Sequence, residues 1–396
     1  MKISKRVSQI APSVTLEISA KAKALKKEGK DVVAFTAGEP DFNTPEYIIK
    51  EAVSSLYDGK TKYTPTAGIP ELKKAIVQKL KEENGLCYGQ ENIVVSSGAK
   101  SSLYHAFCAI LDEGDEVIIP APYWITYVEQ VNLAGGVCKI VKTNEKSGYK
   151  LNIEDFEKAI TPKTRCVLIN SPCNPTGVVY TKDELLSIAK VAQEHGLEIV
   201  SDEVYEKLVF DGEEHVSIAS LTKYAKEHTI VINGVSKTYS MTGWRIGYMA
   251  CPEEVAKAVS AMQGHTTSNA CSFAQYASAK AISIKSAELG EMVLEFDKRR
   301  RLLYEGLSQI DGIKTIYPKG AFYVFADVSA HFGKSFEGEK IVGSVSFAEQ
   351  LLKRNVAVIP GLAFGDDNSV RLAYTVSCQD IQRGLAQIKA FIESLE

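Results

Sequence analysis

The stretch IVVSSGAKSSLYHAFCAILDEGDEVII, residues 93–119, reads as an apolar run, a glycine-bearing turn, a longer amphipathic segment and a second apolar run. It predicts a strand over Ile93–Val95, a helix over 99–111 and a strand over Val117–Ile119. The same alternation continues on both sides. Further apolar runs stand at Val167–Ile169, Ile199–Val200 and Ile230–Ile232, and further helical spacing at 70–83, 182–195 and 253–262. Strands alternating with helices predict an α/β fold with a mostly parallel sheet and helices on both faces. In such sheets ligands bind beyond the carboxyl ends of the strands, so chemically useful residues are expected just after the apolar runs.

The ends of the chain are helical in pattern. Val14, Ile18, Ala22 and Leu25 share one face and Gly29 closes the segment; Ile381, Leu385, Ile388, Ile392 and Leu395 form a longer apolar face. Between them, Phe322–Asp327 and Val356–Ile359 are rich in strand formers, and 331–345 is polar and glycine-rich, as expected of an exposed connection. Residues 282–396 therefore read as a smaller α+β lobe. A chain of 396 residues exceeds one ordinary core, which agrees with two lobes.

Composition narrows the function classes. A net charge of −3 and only short runs of like charge give no reason to expect nucleic-acid binding. The eight cysteines include no CxxC pair and none at metal-ligand spacing to a histidine, so reduced thiols and no metal are expected. Cys173 reads as a small packing residue. No apolar stretch approaches the roughly 18 residues that span a bilayer, and the start MKISKRVSQIAPSV lacks an apolar run of signal-peptide length. A cytoplasmic protein without membrane contact is the expectation.

Three apolar runs are followed by groups with one chemical logic. Asn174 follows Val167–Ile169, Asp202 and Tyr205 follow Ile199–Val200, and Lys237 follows Ile230–Ile232. Removing the α-proton of an amino acid leaves charge that needs an electron sink, which pyridoxal 5′-phosphate (PLP) supplies when its ring nitrogen is protonated and its aldehyde is held by a lysine. Asp202 suits the ring nitrogen, because an ion pair favours the pyridinium. Lys237 suits a Schiff base and, once released, a general base. Asn174 and Tyr205 suit the ring's 3′-oxygen. Ser97-Gly98-Ala99-Lys100 follows one strand and opens a helix, so its backbone N–H groups face an anion such as the cofactor phosphate. Ser236 and Arg245 add a hydroxyl and a guanidinium, and Trp124 after the Val117–Ile119 run suits a ring face. Taken singly, the glycine turn is weak and Trp124 reads equally well as a core aromatic.

Together the motifs carry a resemblance. GVSKTYSMTGWRIG (234–247) resembles the lysine-site signature of the class I/II PLP-dependent aminotransferases, and NSPCNPTG (170–177), SDEVYE (201–206), AGEPDFNTP (37–45), KYTPTAGIPEL (62–72) and PKGAFYVF (318–325) resemble the family's other landmarks in the same order. The likeness covers essentially the whole chain and looks closest to the bacterial aspartate aminotransferase branch, which has a lysine after the phosphate-loop glycine. It implies PLP fold type I, a large PLP-binding domain at 46–281, a small domain of 1–45 plus 282–396, and a homodimer. It further implies a Gly38 backbone contact to substrate, Tyr63 reaching the phosphate of a neighbouring subunit, Trp124 on the ring, and Arg371 gripping the substrate α-carboxylate. Arg371 taken alone would read as a surface arginine. The expected substrates are amino acids and 2-keto acids, with L-aspartate and 2-oxoglutarate foremost.

Two departures stand out. SPCNPTG carries Cys173 at a variable place, with no expected change in cofactor binding. MQGHTTSN (262–269) lacks the arginine that another branch sends across the dimer to the distal carboxylate. Lys100 with Thr15 is then the candidate for that group; the alternative is that Lys100 only neutralises phosphate. Other PLP reactions on the same scaffold, namely transamination of aromatic or other amino acids or C–S β-elimination, are not separated by the lysine site.

Overall fold

The computed structural model describes residues 1–8, 10 and 14–396. Its centre is a seven-stranded sheet: β1 (Ile93–Ser96), β2 (Glu116–Ala121), β3 (Val137–Lys142), β4 (Thr164–Asn170), β5 (Glu198–Asp202), β6 (Thr229–Gly234) and β7 (Gly247–Ala250), in the spatial order β1-β7-β6-β5-β4-β2-β3. β7 runs antiparallel to both its neighbours, and the pairs from β6 to β3 are parallel. β1, β6 and β7 are buried along their whole length, as continuous apolar strands between two helical layers must be.

Successive strand residues point to opposite faces. Val117 and Ile119 pack with Leu103, Ala106 and Phe107 of the Ala99–Ile110 helix, whereas Ile118, Val167 and Ile199 pack with Leu185, Ile188 and Ala189 of the Lys182–His195 helix. Each Val, Leu, Ile or Phe side chain among them taken fully from water stabilises the fold by about 1.5–3 kcal/mol. Local signals set the helix ends: Thr181 and Glu184 form a reciprocal capping box at the start of the second helix, and Gly196 closes it in the left-handed region.

A second, antiparallel sheet has the order Ile359–Pro360, Ser369–Ala373, Tyr323–Asp327, Lys314–Thr315. The helices Ala287–Ser308, Ser344–Lys353 and Cys378–Glu393 bury its core. Val33–Ala34 pairs in parallel with Val356–Ala357, which binds the N-terminal region to this half. Among the described residues no helix is long and apolar enough to cross a membrane.

Three readings need correction. The apolar run Val356–Ile359 is not one strand; Val356–Ala357 pairs with the N-terminal segment and Ile359–Pro360 joins the second sheet. The 331–345 stretch is not a plain exposed connection. It holds a small hairpin, Ser335–Phe336 against Glu339–Lys340, and Phe336 and Ile341 are buried in the core. The helix expected over 253–262 continues to Thr266.

Candidate active site

The carboxyl ends of β4, β5 and β6 open into a cleft of about 910 Å³, walled on its other sides by Gly38, Trp124 and Arg371. Lys237 stands three residues past β6, and its Nζ donates to the Gly38 carbonyl at 2.6 Å. Burial pushes its pKa down to about 8; Glu39 and Asp202 oppose that shift, and Arg371 and Arg245 add to it.

Asp202 ends β5 and is buried. Its Oδ2 accepts from the Tyr127 hydroxyl at 2.7 Å and its Oδ1 from the Val204 amide at 3.3 Å. Burial raises its pKa to about 6 against the pull of those two hydrogen bonds. Its neighbour in the cleft, Tyr205, shares a 2.8 Å hydrogen bond with Tyr323.

Arg371 comes from the strand Ser369–Ala373 and is only 4% exposed, so its reading as a surface arginine is wrong. Nη1 donates to Asn174 Oδ1 at 2.9 Å and Nη2 to the Thr36 carbonyl at 3.2 Å, while Nε has no partner among the described residues. Its guanidinium lies over the rings of Tyr323 (4.4 Å) and Phe364 (5.0 Å). No carboxylate among the described residues pairs with it. A buried cation held only by neutral oxygens and ring faces is poised for an external anion.

A second anion-receptive corner lies at the start of the Ala99–Ile110 helix. Gly98 precedes the helix at φ 86°, and a Cβ there would collide with the Arg245 guanidinium. Gly247 in β7 is equally constrained, because the Gly98–Ala99 backbone packs directly on it. The two glycines thus let a helix N-terminus, Arg245 and β7 meet. Arg245 Nη1 donates to the Thr242 carbonyl at 2.8 Å, and Ser236 faces the same space. Lys100 Nζ sits 4.9 Å from the Trp124 ring, and partial burial together with Arg245 lowers its pKa. Ala99, Lys100, Trp124, Asn174, Asp202, Tyr205, Ser236, Lys237, Arg245, Gly38 and Arg371 all line the one cleft.

Gly98 and Tyr63 are not among the residues that line it. Tyr63 stands outside the cleft with its side chain 90% exposed. The side chain of Thr15 lies outside the described residues. Sequence reasoning also missed groups that are present. Tyr127 anchors Asp202, and Gln130 holds the Lys100 carbonyl through Nε2 at 2.7 Å. Both sit on the short Thr126–Leu133 helix, and the faint signal was their spacing of three and six residues after Trp124. Behind the cleft, Glu203 and Glu206 approach His215. The oxygens of the two glutamates already accept from Ser201, Ser217, His215, Asn84, Asn233 and Lys79, so these carboxylates are committed within a polar core, while His215 Nδ1 has no partner among the described residues.

A parallel-dominated sheet with a lysine and an aspartate at its strand ends, facing two anion-receptive corners, is the frame of a PLP-dependent enzyme of fold type I. The chain belongs to the class I and II aminotransferases, whose sequence profile matches residues 30–388. It is 48% identical to the aspartate aminotransferase of Bacillus subtilis, with 99% of each chain covered. It is 46% identical to a protein of Aquifex aeolicus named as a probable aspartate/prephenate aminotransferase, again over 99% of each. The crystal structure of the aspartate aminotransferase from Rhizobium meliloti superposes with a TM-score of 0.97 at 41% identity, covering both chains fully.

Proposed function

We propose that the protein moves the amino group of L-aspartate to 2-oxoglutarate, giving oxaloacetate and L-glutamate. The observation that carries this reading is the surplus of cations in the cleft. Lys23, Lys100, Lys237, Arg245 and Arg371 line it against Glu39, Glu129 and Asp202. One anion is the cofactor phosphate and two more are the carboxylates of a dicarboxylic substrate. The names of the relatives from Bacillus subtilis and Rhizobium meliloti support the same substrate.

The donor set fits PLP. Gly98, Ala99, Ser236 and Arg245 suit its phosphate, Asp202 its ring nitrogen, Asn174 and Tyr205 its 3′-oxygen, and Trp124 its face. The cofactor, when bound, supplies an electron-accepting ring next to the substrate's α-carbon. Lys237 holds the cofactor and moves the α-proton; a neutral amine near pH 8 is suited to that exchange. Arg371 grips the α-carboxylate with Asn174 and Gly38 beside it, and Lys100, with Thr15, takes the distal carboxylate.

The chain works as a cytoplasmic homodimer with Tyr63 reaching the partner's phosphate site. Ile49, Val53 and Leu56 form an exposed apolar row on the Glu46–Tyr57 helix, and Tyr57 and Tyr63 are exposed nearby in the sequence. Such a row suits an interface. A large domain at 46–281 and a small one at 1–45 plus 282–396 agree with the Val33–Val356 pairing.

A panel of amino donors with 2-oxoglutarate, followed through the cofactor's absorption change, tests the reading. Aspartate is expected to give the highest kcat/KM. A higher value for aromatic donors, or release of ammonia and a keto acid without an acceptor, rejects it. Prephenate as an acceptor tests the broader specificity in the name of the Aquifex aeolicus relative.

A further inference from the structure

Tyr127 touches two of the groups assigned above to the cofactor ring. It lies in the first turn of the Thr126–Leu133 helix, three residues after Trp124. Its ring meets the Trp124 ring edge-on, with centroids 5.4 Å apart and planes at 88°. Its hydroxyl donates to Asp202 Oδ2 at 2.7 Å. One fully buried side chain therefore braces the residue expected on the ring face and the carboxylate expected at the ring nitrogen.

The chemistry gives that contact a direction. Burial and the Asp202 charge push the Tyr127 hydroxyl well above its ordinary pKa, so it remains a donor. Asp202 needs donors, because burial favours its neutral acid and Glu203 beside it acts the same way. Lys237, Cys173 and Tyr205 are the other titratable groups that act on this pair. Val204 offers a longer bond, 3.3 Å, so the Tyr127 hydroxyl is the shortest anchor of the carboxylate. A hydrogen bond to the charged form holds the charge on Asp202 and leaves its other oxygen, held only by the longer Val204 bond, to face a cationic ring nitrogen.

We propose that Tyr127 is a positioning residue that keeps Asp202 ionised and oriented toward the cofactor's ring nitrogen while bracing Trp124 against the ring face. This rests on the assignment of the cleft to PLP. Tyr127→Phe keeps the edge contact and removes the donor; Tyr127→Leu removes both.

Apo-protein of the wild type and each variant is loaded with PLP carrying ¹⁵N in the ring, and the ring-nitrogen shift is followed from pH 6 to pH 8.5, with circular dichroism and thermal midpoint as fold controls. The expected result for Tyr127→Phe is a shift toward the unprotonated-pyridine value with the fold unchanged. Its PLP Kd should be about tenfold weaker, the scale of one lost hydrogen bond to a charged group. Tyr127→Leu should bind more weakly still. A Phe variant with wild-type ring-nitrogen shift and wild-type Kd overturns the proposal, whereas a wild-type chain that takes up no PLP overturns the parent reading.

Discussion

Arg371 Nη1 and Asn174 Oδ1 stand 2.9 Å apart although 197 residues separate them in the chain. The arginine belongs to the antiparallel sheet of the C-terminal half and the asparagine to the loop after β4, so this bond crosses between the two sheets at the cleft. It also presets the guanidinium plane, since Thr36 holds the second nitrogen at 3.2 Å. A fork fixed in advance loses little freedom when a carboxylate arrives.

Arg371→Lys tests that arrangement. A single ammonium cannot keep both bonds and also present two parallel donors. The KM for aspartate and for 2-oxoglutarate is expected to rise roughly ten- to a hundredfold, the equivalent of one charge-assisted hydrogen bond. Cofactor absorption should be unchanged. Steady-state kinetics with an unaltered KM would remove Arg371 from the substrate site.

Lys237 gives a pH prediction. With its pKa brought down to about 8, roughly a tenth of the amine is neutral at pH 7, against well under a thousandth for an ordinary lysine. The rate at which apo-protein takes up PLP should climb as pH rises through about 8 and level off above it. Stopped-flow absorbance with an inflection near 10 would contradict the effect of burial. In Lys237→Ala, borohydride should no longer fix the cofactor to the chain.

Much of this was legible in the chain because buried parallel strands are simple text. Val167–Ile169, Ile199–Val200 and Ile230–Ile232 are apolar on both faces, so the strands and the polar groups at their ends stood out together. β3 did not, because VCKIVK forms the sheet edge and exposes Val137 and Ile140. Tyr127 and Gln130 were missed because their helix is only eight residues long and their roles depend on β5 and on Lys100, which are distant in sequence. Arg371 reads as a surface residue until Phe364 and Tyr323 are folded over it. Val356–Ile359 looked like one strand because pairing partners, not composition, divide it.

His331 should make the C-terminal half sensitive to acid. It is buried beside Phe347; burial and then Lys334 depress its pKa, and Asp311 opposes them. A depressed folded value means the unfolded chain binds the extra proton more readily. Stability is therefore complete above the unfolded pKa of about 6.5 and is lost as pH falls below it. The thermal midpoint of the wild type should drop between pH 7.5 and 5.5 by more than that of His331→Phe. Parallel curves for the two proteins would show that His331 does not contribute.

Lys100 is the sharpest test of substrate choice. Aspartate, glutamate and their keto acids carry two carboxylates, and Arg371 is the residue proposed for one. The second enters a partly enclosed cleft and needs its own cation, since an unpaired charge is costly to bury. The 262–269 segment supplies no arginine, whereas Lys100 extends over Trp124 at 4.9 Å with its backbone held by Gln130. Lys100→Ser should lower kcat/KM for aspartate by roughly ten- to a hundredfold, on the scale of a hydrogen bond to a charged group. Alanine and phenylalanine have no distal carboxylate, so their kcat/KM should stay level or improve. The contrast between donors separates this role from that of a phosphate ligand. A phosphate role would weaken PLP binding and depress every donor alike, and an unaffected aspartate rate would reject both roles.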